Sequence, residues 1–457
     1  MSAQKADPVP HTNTAHPHPN PLPQAGEGAP TPAFKAAFGL FALAAVLSGC
    51  AAVGPDFEAP KAQAPEAWNT RPSSAPELTA RLPIQPQTAP EPWWTLFNDA
   101  TLNQLQQRLI TNSPDLQTAF LRFSQSRAQQ SMVAAQAGPQ VALQGRTSRQ
   151  RQSENAPETR MAAAMGGPNS AALTQMLSTP FDQYQVGFDM AWEIDLWGRV
   201  RRSLESSQAS SDAAGALLQH THLTLSSELA RAYFQLRLLQ QQRALLAQQT
   251  TLAADTTALL QQQVQKGLMA DMQAIPARNQ WAALQAHAAP LQAQEAALAN
   301  QISLLLGAQP GELSALLTAP ENNQAAQNAT LPDLRLGLPA DLVRRRPDIR
   351  AAEAKLHAAT ADIGVAVADL YPRISLGLSA GFNAMTASKF GDWGSRTWQI
   401  GPVLSLPIFD MGRRRATVEL RKLQQQEAAV AWQKTVLTAW QEVDDALINY
   451  AAEQQRN

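Results

Sequence analysis

Chemistry has few places to start on this chain. Its 457 residues include a single cysteine, Cys50, which excludes an intrachain disulfide and any cluster of thiolate metal ligands. His220 and His222 are two residues apart, so on a helix they do not share a face, and His287 and His357 stand alone. That spacing makes no metal site. No Gly-rich phosphate loop and no nucleophile motif occurs. Two basic sets remain, Arg199-Arg201-Arg202 and Arg413-Arg414-Arg415. They could meet lipid or lipopolysaccharide phosphates, or form salt bridges to a neighbouring helix. Either would supply what a helix start carrying positive charge lacks, since basic residues there oppose the helix dipole. These residues do not read as an enzyme or as a cofactor site. A net charge of −1 gives no reason to expect a nucleic-acid partner.

Cys50 gains meaning from what precedes it. Lys35 is followed by an apolar run from Ala36 to Leu47, then by Ser48-Gly49-Cys50. One basic residue, about a dozen apolar residues and a small-residue cleavage site form a secretory signal, too short for a stable membrane span. The ending Leu47-Ser48-Gly49-Cys50 resembles the bacterial lipobox, in which cleavage leaves the cysteine as an acylated N-terminus. Several acyl chains anchor a protein firmly where one holds it marginally. Residues 1–34, Pro-rich and carrying His11, His16 and His18, are too long for an ordinary n-region and are set aside from fold reasoning.

The elements that position the rest come from self-similarity. Ser113-Pro114-Asp115-Leu116 recurs as Arg346-Pro347-Asp348-Ile349 at an offset of 233, and the same offset pairs Ala119 with Ala352, Pro139 with Pro372 and Leu143 with Leu376. Further on the offset is 214, pairing Gly198-Arg199 with Gly412-Arg413, Thr221 with Thr435 and Glu228 with Glu442. Pro114 and Pro347 suit the first position of a helix, and the Asp after each favours its positive end. Each helix is expected to stop just before Pro139 or Pro372.

Then the period changes. From Gln183 to Ile194 every second residue is large and apolar: Tyr184, Val186, Phe188, Met190, Trp192 and Ile194. Ile374, Leu376, Leu378, Ala380 and Phe382 repeat the pattern, and Trp398, Ile400, Leu404, Leu406 and Ile408 form one face of a following strand. The strand around Val141 and Leu143 is weaker and more polar. These runs are amphipathic strands. A soluble sheet alternates in the same way. Two features favour a membrane: lengths near the ~9–11 residues of a tilted spanning strand, and a long polar loop from Arg151 to Pro180, as in outer-membrane barrels. Four strands cannot close a barrel, and open edges are not tolerated in lipid, so several subunits would have to pool theirs.

Arg199 to Lys266 contains no proline and one glycine, Gly215. A helix of that length would reach ~100 Å at ~1.5 Å per residue, with its first turn signal at Lys266-Gly267. A return helix runs toward Leu306-Gly307, with Pro276 and Pro290 expected to bend it. Such helices need partners along their length. Strands in a membrane with helices of that length suggest a conduit across an aqueous compartment; a coiled-coil spacer in the periplasm is the plainer alternative.

These residues resemble the outer-membrane factor family, the TolC-like channels, in its lipoprotein subgroup serving resistance-nodulation-division (RND) exporters. The likeness is carried by Val53-Gly54-Pro55-Asp56-Phe57, by Trp93-Trp94 with Phe97 and Asp99, and above all by Arg344-Arg345-Arg346-Pro347-Asp348-Ile349-Arg350 continuing through Ile363-Gly364 to Leu370-Tyr371-Pro372-Arg373-Ile374. It covers Cys50 to Asn457. The resemblance implies a mixed, mainly α fold. Four transmembrane strands per chain would join in a homotrimeric 12-stranded barrel, continued by long antiparallel helices in the periplasm. It implies a passive channel, lipid-anchored in the outer membrane of a Gram-negative bacterium, receiving substrate from an RND-type inner-membrane transporter through a periplasmic adaptor. No cofactor is implied beyond covalent lipid on Cys50. The adaptor-docking tip would be Lys266, Gly267 and Leu268 with Asp271.

The expected organisation is a signal region at 1–49, a lipidated linker at 50–92, a first repeat at 93–310, a connector at 311–346 and a second repeat at 347–457. The 214 offset matches Asn457 to Arg243, so counterparts of 244–307 are missing and the second repeat is expected to be truncated. That segment carries much of the closable aperture in the family, so no gate residue is assigned. A non-conducting lipoprotein scaffold or remnant, and a role in type I secretion, stand as alternatives.

Overall fold

Helix starts are set by local chemistry. Asp99 accepts the Leu102 N–H at 2.9 Å and so caps α1 (Ala100–Asn112). Pro114 fills the first position of α2 (Pro114–Ala134), which passes through one 3₁₀ turn before Gly138. The computed structural model describes residues 52–61, 73–79, 92–318 and 344–456. After α2 come β1 (Gln140–Gln150), α3 (Pro157–Met165), α4 (Ser170–Ser178), β2 (Phe181–Ile194), α5 (Arg199–Gln265) and α6 (Asp271–Leu305). The second run is α7 (Pro347–Ala368), β3 (Arg373–Ala384), β4 (Arg396–Ser405) and α8 (Arg413–Arg456). Pro347 and Asp348 start α7 as Pro114 and Asp115 start α2.

The strands form one antiparallel sheet in the order β1-β2-β3-β4. α5 is 67 residues long, close to 100 Å at ~1.5 Å per residue. No helix of the described residues is long and apolar enough to cross a membrane. The main core lies partway along α5, where Leu102, Leu105 and Leu109 of α1 meet Leu229, Tyr233 and Leu236 of α5 and Ile302 of α6. Two polar ties fix this packing. Tyr233 Oη donates to Asp99 Oδ2 at 2.7 Å, and Gln106 Nε2 donates to the Ser226 carbonyl at 2.8 Å.

Two local expectations differ from the structure. The loop Arg151–Pro180 is not irregular: it folds into α3 and α4. Pro157 opens α3 with Glu158 in its first turn, and the Ala-rich sequence that follows is a good helix former. β4 ends at Ser405, so Leu406 and Ile408 lie beyond it. Its partner there is Arg373, preceded by Pro372, which has no N–H to continue the ladder. α6 is a single helix of 35 residues that contains both Pro276 and Pro290.

Candidate functional site

Three parts of the fold bear on function: the sheet, the junctions where strands pass into helices, and the tip of the α5–α6 hairpin. In the sheet, antiparallel register places directly opposed residues on the same face. Leu143 opposes Phe188, and Val141 opposes Met190. Met190 opposes Leu378, and Trp192 opposes Leu376. Leu378 opposes Ile400, and Ala380 opposes Trp398. One face is therefore apolar across all four strands. Much of it is uncovered among the described residues: Leu143, Phe188, Trp398 and Ile400 are all exposed. The opposite face carries Gln144, Gln185, Asp189, Ser375, Ser379 and Gln399. Between its side chains, Gly187 and Gly381 oppose one another so closely that a Cβ on Gly381 would collide with the Val186 carbonyl. β1 and β4 have no second partner among the described residues, so both edges are open. A sheet apolar on one side, polar on the other and open at both edges can line an aqueous lumen only as part of a closed ring.

At the first junction the basic residues are paired, but not to a neighbouring helix. Arg199 meets Glu193, at the end of β2, through two bonds of 2.8 Å. Asp195 accepts the N–H groups of Val200 at 3.0 Å and Arg201 at 2.9 Å. That carboxylate supplies the negative charge that the basic start of α5 lacks. At the second junction Asp410 does the same, accepting from Gly412 at 3.1 Å and Arg414 at 3.3 Å.

Arg202 is nearly buried and binds Asp56 at 2.5 Å and Glu205 at 2.8 Å. The segment 53–57 is thereby clamped onto the start of α5. Val53 N–H donates to the Trp197 carbonyl, Phe57 stacks on His357 at 4.3 Å, and His357 Nε2 lies 2.9 Å from Glu205 Oε1. Burial pushes the Glu205 carboxyl up, but Arg202 and His357 outweigh it and hold the group below the usual range. Close approach requires glycine here. Gly54 has φ +95° and an added Cβ would lie 2.5 Å from Gly364 Cα. No local pattern marks this clamp, because its contacts join residues about 150 to 310 apart in a segment with no periodicity. The proposed lipid site (Leu47, Ser48, Gly49 and Cys50) lies outside the described residues.

The predicted tip is where the hairpin turns. Gly267, at φ +71°, ends α5 with the Leu268 N–H bonded back to the Gln263 carbonyl at 3.0 Å and its own N–H to Val264. That is a Schellman-type stop, which leaves an apolar residue after the glycine. Leu268 and Met272 are both at least three-quarters exposed. Asp271 opens α6 and is bound by Arg278 at 2.9 Å. Lys266, Gly267, Leu268 and Asp271 thus lie together at the turn between α5 and α6.

Comparison with known proteins agrees with this geometry. The family model described as "Outer membrane efflux protein" matches residues 105–308 and 338–457. The antibiotic efflux pump outer membrane protein ArpC of Pseudomonas putida is 30% identical over 413 residues, covering 90% of this chain and 80% of that protein. Nodulation protein T of Rhizobium leguminosarum bv. viciae is 31% identical over 406 residues, covering 89% and 76%. Among solved structures, the outer-membrane channel OprN is 34% identical at a TM-score of 0.75, covering 88% of this chain and 84% of that one. The Campylobacter jejuni CmeC outer membrane channel shares the fold at a TM-score of 0.75 and 22% identity, with coverage of 89% and 81%. The TolC-like fold suggested by the sequence is the one observed, and the relatives are channels rather than enzymes. The chain belongs to the outer membrane efflux protein family and is an outer-membrane channel component of an efflux pump.

Proposed function

We propose that the chain works as a homotrimer and as a passive conduit. Twelve pooled strands form a barrel in the outer membrane, its apolar face toward lipid and its polar face toward the lumen. The helices carry the tunnel into the periplasm. The observation that carries this reading is the sheet itself: one uncovered apolar face across four strands, and two unpaired edges. Closed barrels begin at about eight strands, so one chain is too few and three suffice.

In this reading no bond is made or broken. An inner-membrane transporter of the RND type drives export, and a periplasmic adaptor passes substrate to the channel, docking on Lys266, Gly267, Leu268 and Asp271. The exposed Leu268 and Met272 supply apolar anchors for that contact, and a well-ordered turn limits the entropy lost on binding. A lipid on Cys50 secures the chain to the inner leaflet of the outer membrane. The sequence leaves two residues, Ala51 and Ala52, between that anchor and the segment clamped on the strand–helix junction.

The test is the mass of the protein extracted from outer membranes in mild detergent, together with drug susceptibility of a deletion strain. A three-copy complex and raised susceptibility are expected. A monomer under conditions that preserve its secondary structure would refute the pooled barrel.

A further inference from the structure

The apolar face of the sheet ends differently at its two margins. Toward the strand–helix junctions its last positions are Val141 in β1, Ile194 in β2, Ile374 in β3 and Leu404 in β4, all apolar. Toward the connecting loops they are Arg149, Asp182, Ala384 and Arg396. At ~3.4 Å per residue β2 rises ~34 Å from Tyr184 to Ile194, or ~26 Å once tilted by ~40°, close to the ~25 Å apolar band of an outer-membrane barrel. Asp182, with Arg149 opposite it, is the next position on that face beyond Tyr184. Charge therefore enters this face where hydrocarbon gives way to headgroups, and at one margin only.

Both arginines keep donors to offer. Arg149 lies 3.9 Å from Asp182, too far for a hydrogen bond, and its side chain is 73% exposed. Arg396 lies over the Trp393 ring at 4.4 Å and donates one N–H to the Trp393 carbonyl at 2.6 Å, which leaves the other donors of a five-donor group. At the opposite margin Arg199 and Arg202 are held by carboxylates instead. Aromatic rings accompany the loop-end pair. Phe390, in the connection between β3 and β4, packs against Tyr184 at 6.2 Å, and Trp393 and Trp398 are both exposed. Indole, with an apolar body and one polar N–H, favours the boundary between hydrocarbon and headgroups. A guanidinium stacked on such a ring is held in place, and its planar fork matches phosphate oxygens.

We propose that Arg149 and Arg396 bind phosphate groups of lipopolysaccharide, the anionic glycolipid on the outer side of the membrane. This rests on the pooled-barrel reading, which turns the apolar face toward lipid. Charge selects the partner. Two cations against the single carboxylate of Asp182 leave the margin positive, and an arginine beside hydrocarbon is costly unless an anion meets it. A zwitterionic headgroup brings a cation of its own, whereas a headgroup with two phosphates offers each guanidinium an anion. Below the arginines, the exposed Trp398 and Ile400 supply the apolar surface along which the acyl chains lie.

Titration of the delipidated, detergent-solubilised protein with lipid A carrying two phosphates, read by native mass spectrometry, tests the site. Arg149→Gln with Arg396→Gln should weaken binding by roughly tenfold or more, the loss expected when a charge-assisted hydrogen bond is removed. Each single variant should lose part of that, and serves where the double variant does not assemble. Arg160→Gln, at an exposed position of α3 away from the strands, should stay within about twofold of wild type. Phosphatidylglycerol, with one phosphate, should bind roughly tenfold more weakly than lipid A. No binding by the wild type, unchanged affinity in the arginine variants, an equal loss in Arg160→Gln or equal binding of the two lipids overturns the site, and in a protein that still runs as a trimer leaves the barrel standing. A monomer by mass removes the barrel, and the site with it.

Discussion

Adjacent residues of β3 should respond in opposite ways to the same substitution. Leu378 lies on the apolar face between Met190 and Ile400, whereas Ser379 lies on the polar face between Asp189 and Gln399. In the pooled barrel Leu378→Arg puts a guanidinium into lipid near the middle of a central strand. An arginine on the lipid side of such a barrel costs about 2–4 kcal/mol at the bilayer midplane. At about 1.4 kcal/mol per factor of ten, that is a fall of roughly 30- to 900-fold in the assembled fraction. Ser379→Arg introduces the same charge one residue away, directly opposite Asp189. An opposite-charge cross-strand pair contributes about 0.2–1 kcal/mol, so assembly should stay within roughly fivefold of wild type. The assay is the fraction of each variant recovered as detergent-stable oligomer in the outer membrane at matched expression. Equal losses for the two variants, or a greater loss for Ser379→Arg, would refute the assignment of faces.

Three further outcomes follow from the junction, the tip and the anchor. Glu205 and Asp348 are both held below the ordinary carboxylate range, because hydrogen bonds from Arg202 and His357 and from Arg346 outweigh the upward push of burial. A depressed folded pKa contributes stability above the unfolded value of about 4 and loses it as pH falls through the folded value. The thermal midpoint should therefore hold from pH 8 to 5 on this account and fall below pH 4. Arg202→Met should flatten that acid limb; a limb of unchanged steepness in the variant would contradict the assignment. Leu268→Asp, at an exposed position, should change stability by no more than about 0.5 kcal/mol yet abolish export, read as drug accumulation; unimpaired export would remove the tip from the docking surface. Cys50→Ser should lose the acyl mass in mass spectrometry while keeping the wild-type far-UV spectrum, and an unchanged mass would exclude lipid attachment there.

Much of this fold is legible because its rules are local. Alternation from Tyr184 to Ile194 specifies β2 and its faces, and the absence of proline from Arg199 to Lys266 specifies α5 to within a residue. β1 is harder to read. Beyond Val141 and Leu143 its apolar-face positions hold Gly145, Thr147 and Arg149, and only pairing with β2 along all 11 residues defines it. The helices α3 and α4 were hidden by the polar character of their segment, although Pro157-Glu158 marks a helix start. The partners of the arginine sets were misplaced for a different reason. Periodicity reports which face of a helix is apolar, but not that a carboxylate four residues before the helix turns back to cap it, as Asp195 does. The clamp on residues 53–57 depends on contacts with α5 and α7 that no local pattern encodes. The position of the tip is legible from one glycine, because helices commonly end on a left-handed residue and glycine adopts that conformation without strain.

The open edges of the sheet also govern how this protein must be made. Until neighbours arrive, a newly exported copy carries two templates for strand addition and an apolar face suited only to lipid. In the aqueous space before insertion those surfaces attract any extended chain, not only the correct one. In the proposed pooled barrel, productive assembly needs several copies at one place, whereas misassembly needs any two in any register, so the wrong reaction is favoured by crowding. The channel therefore depends on being delivered dilute and shielded, then concentrated at the membrane surface. Raising its synthesis beyond that delivery capacity should yield aggregate before it yields more pores.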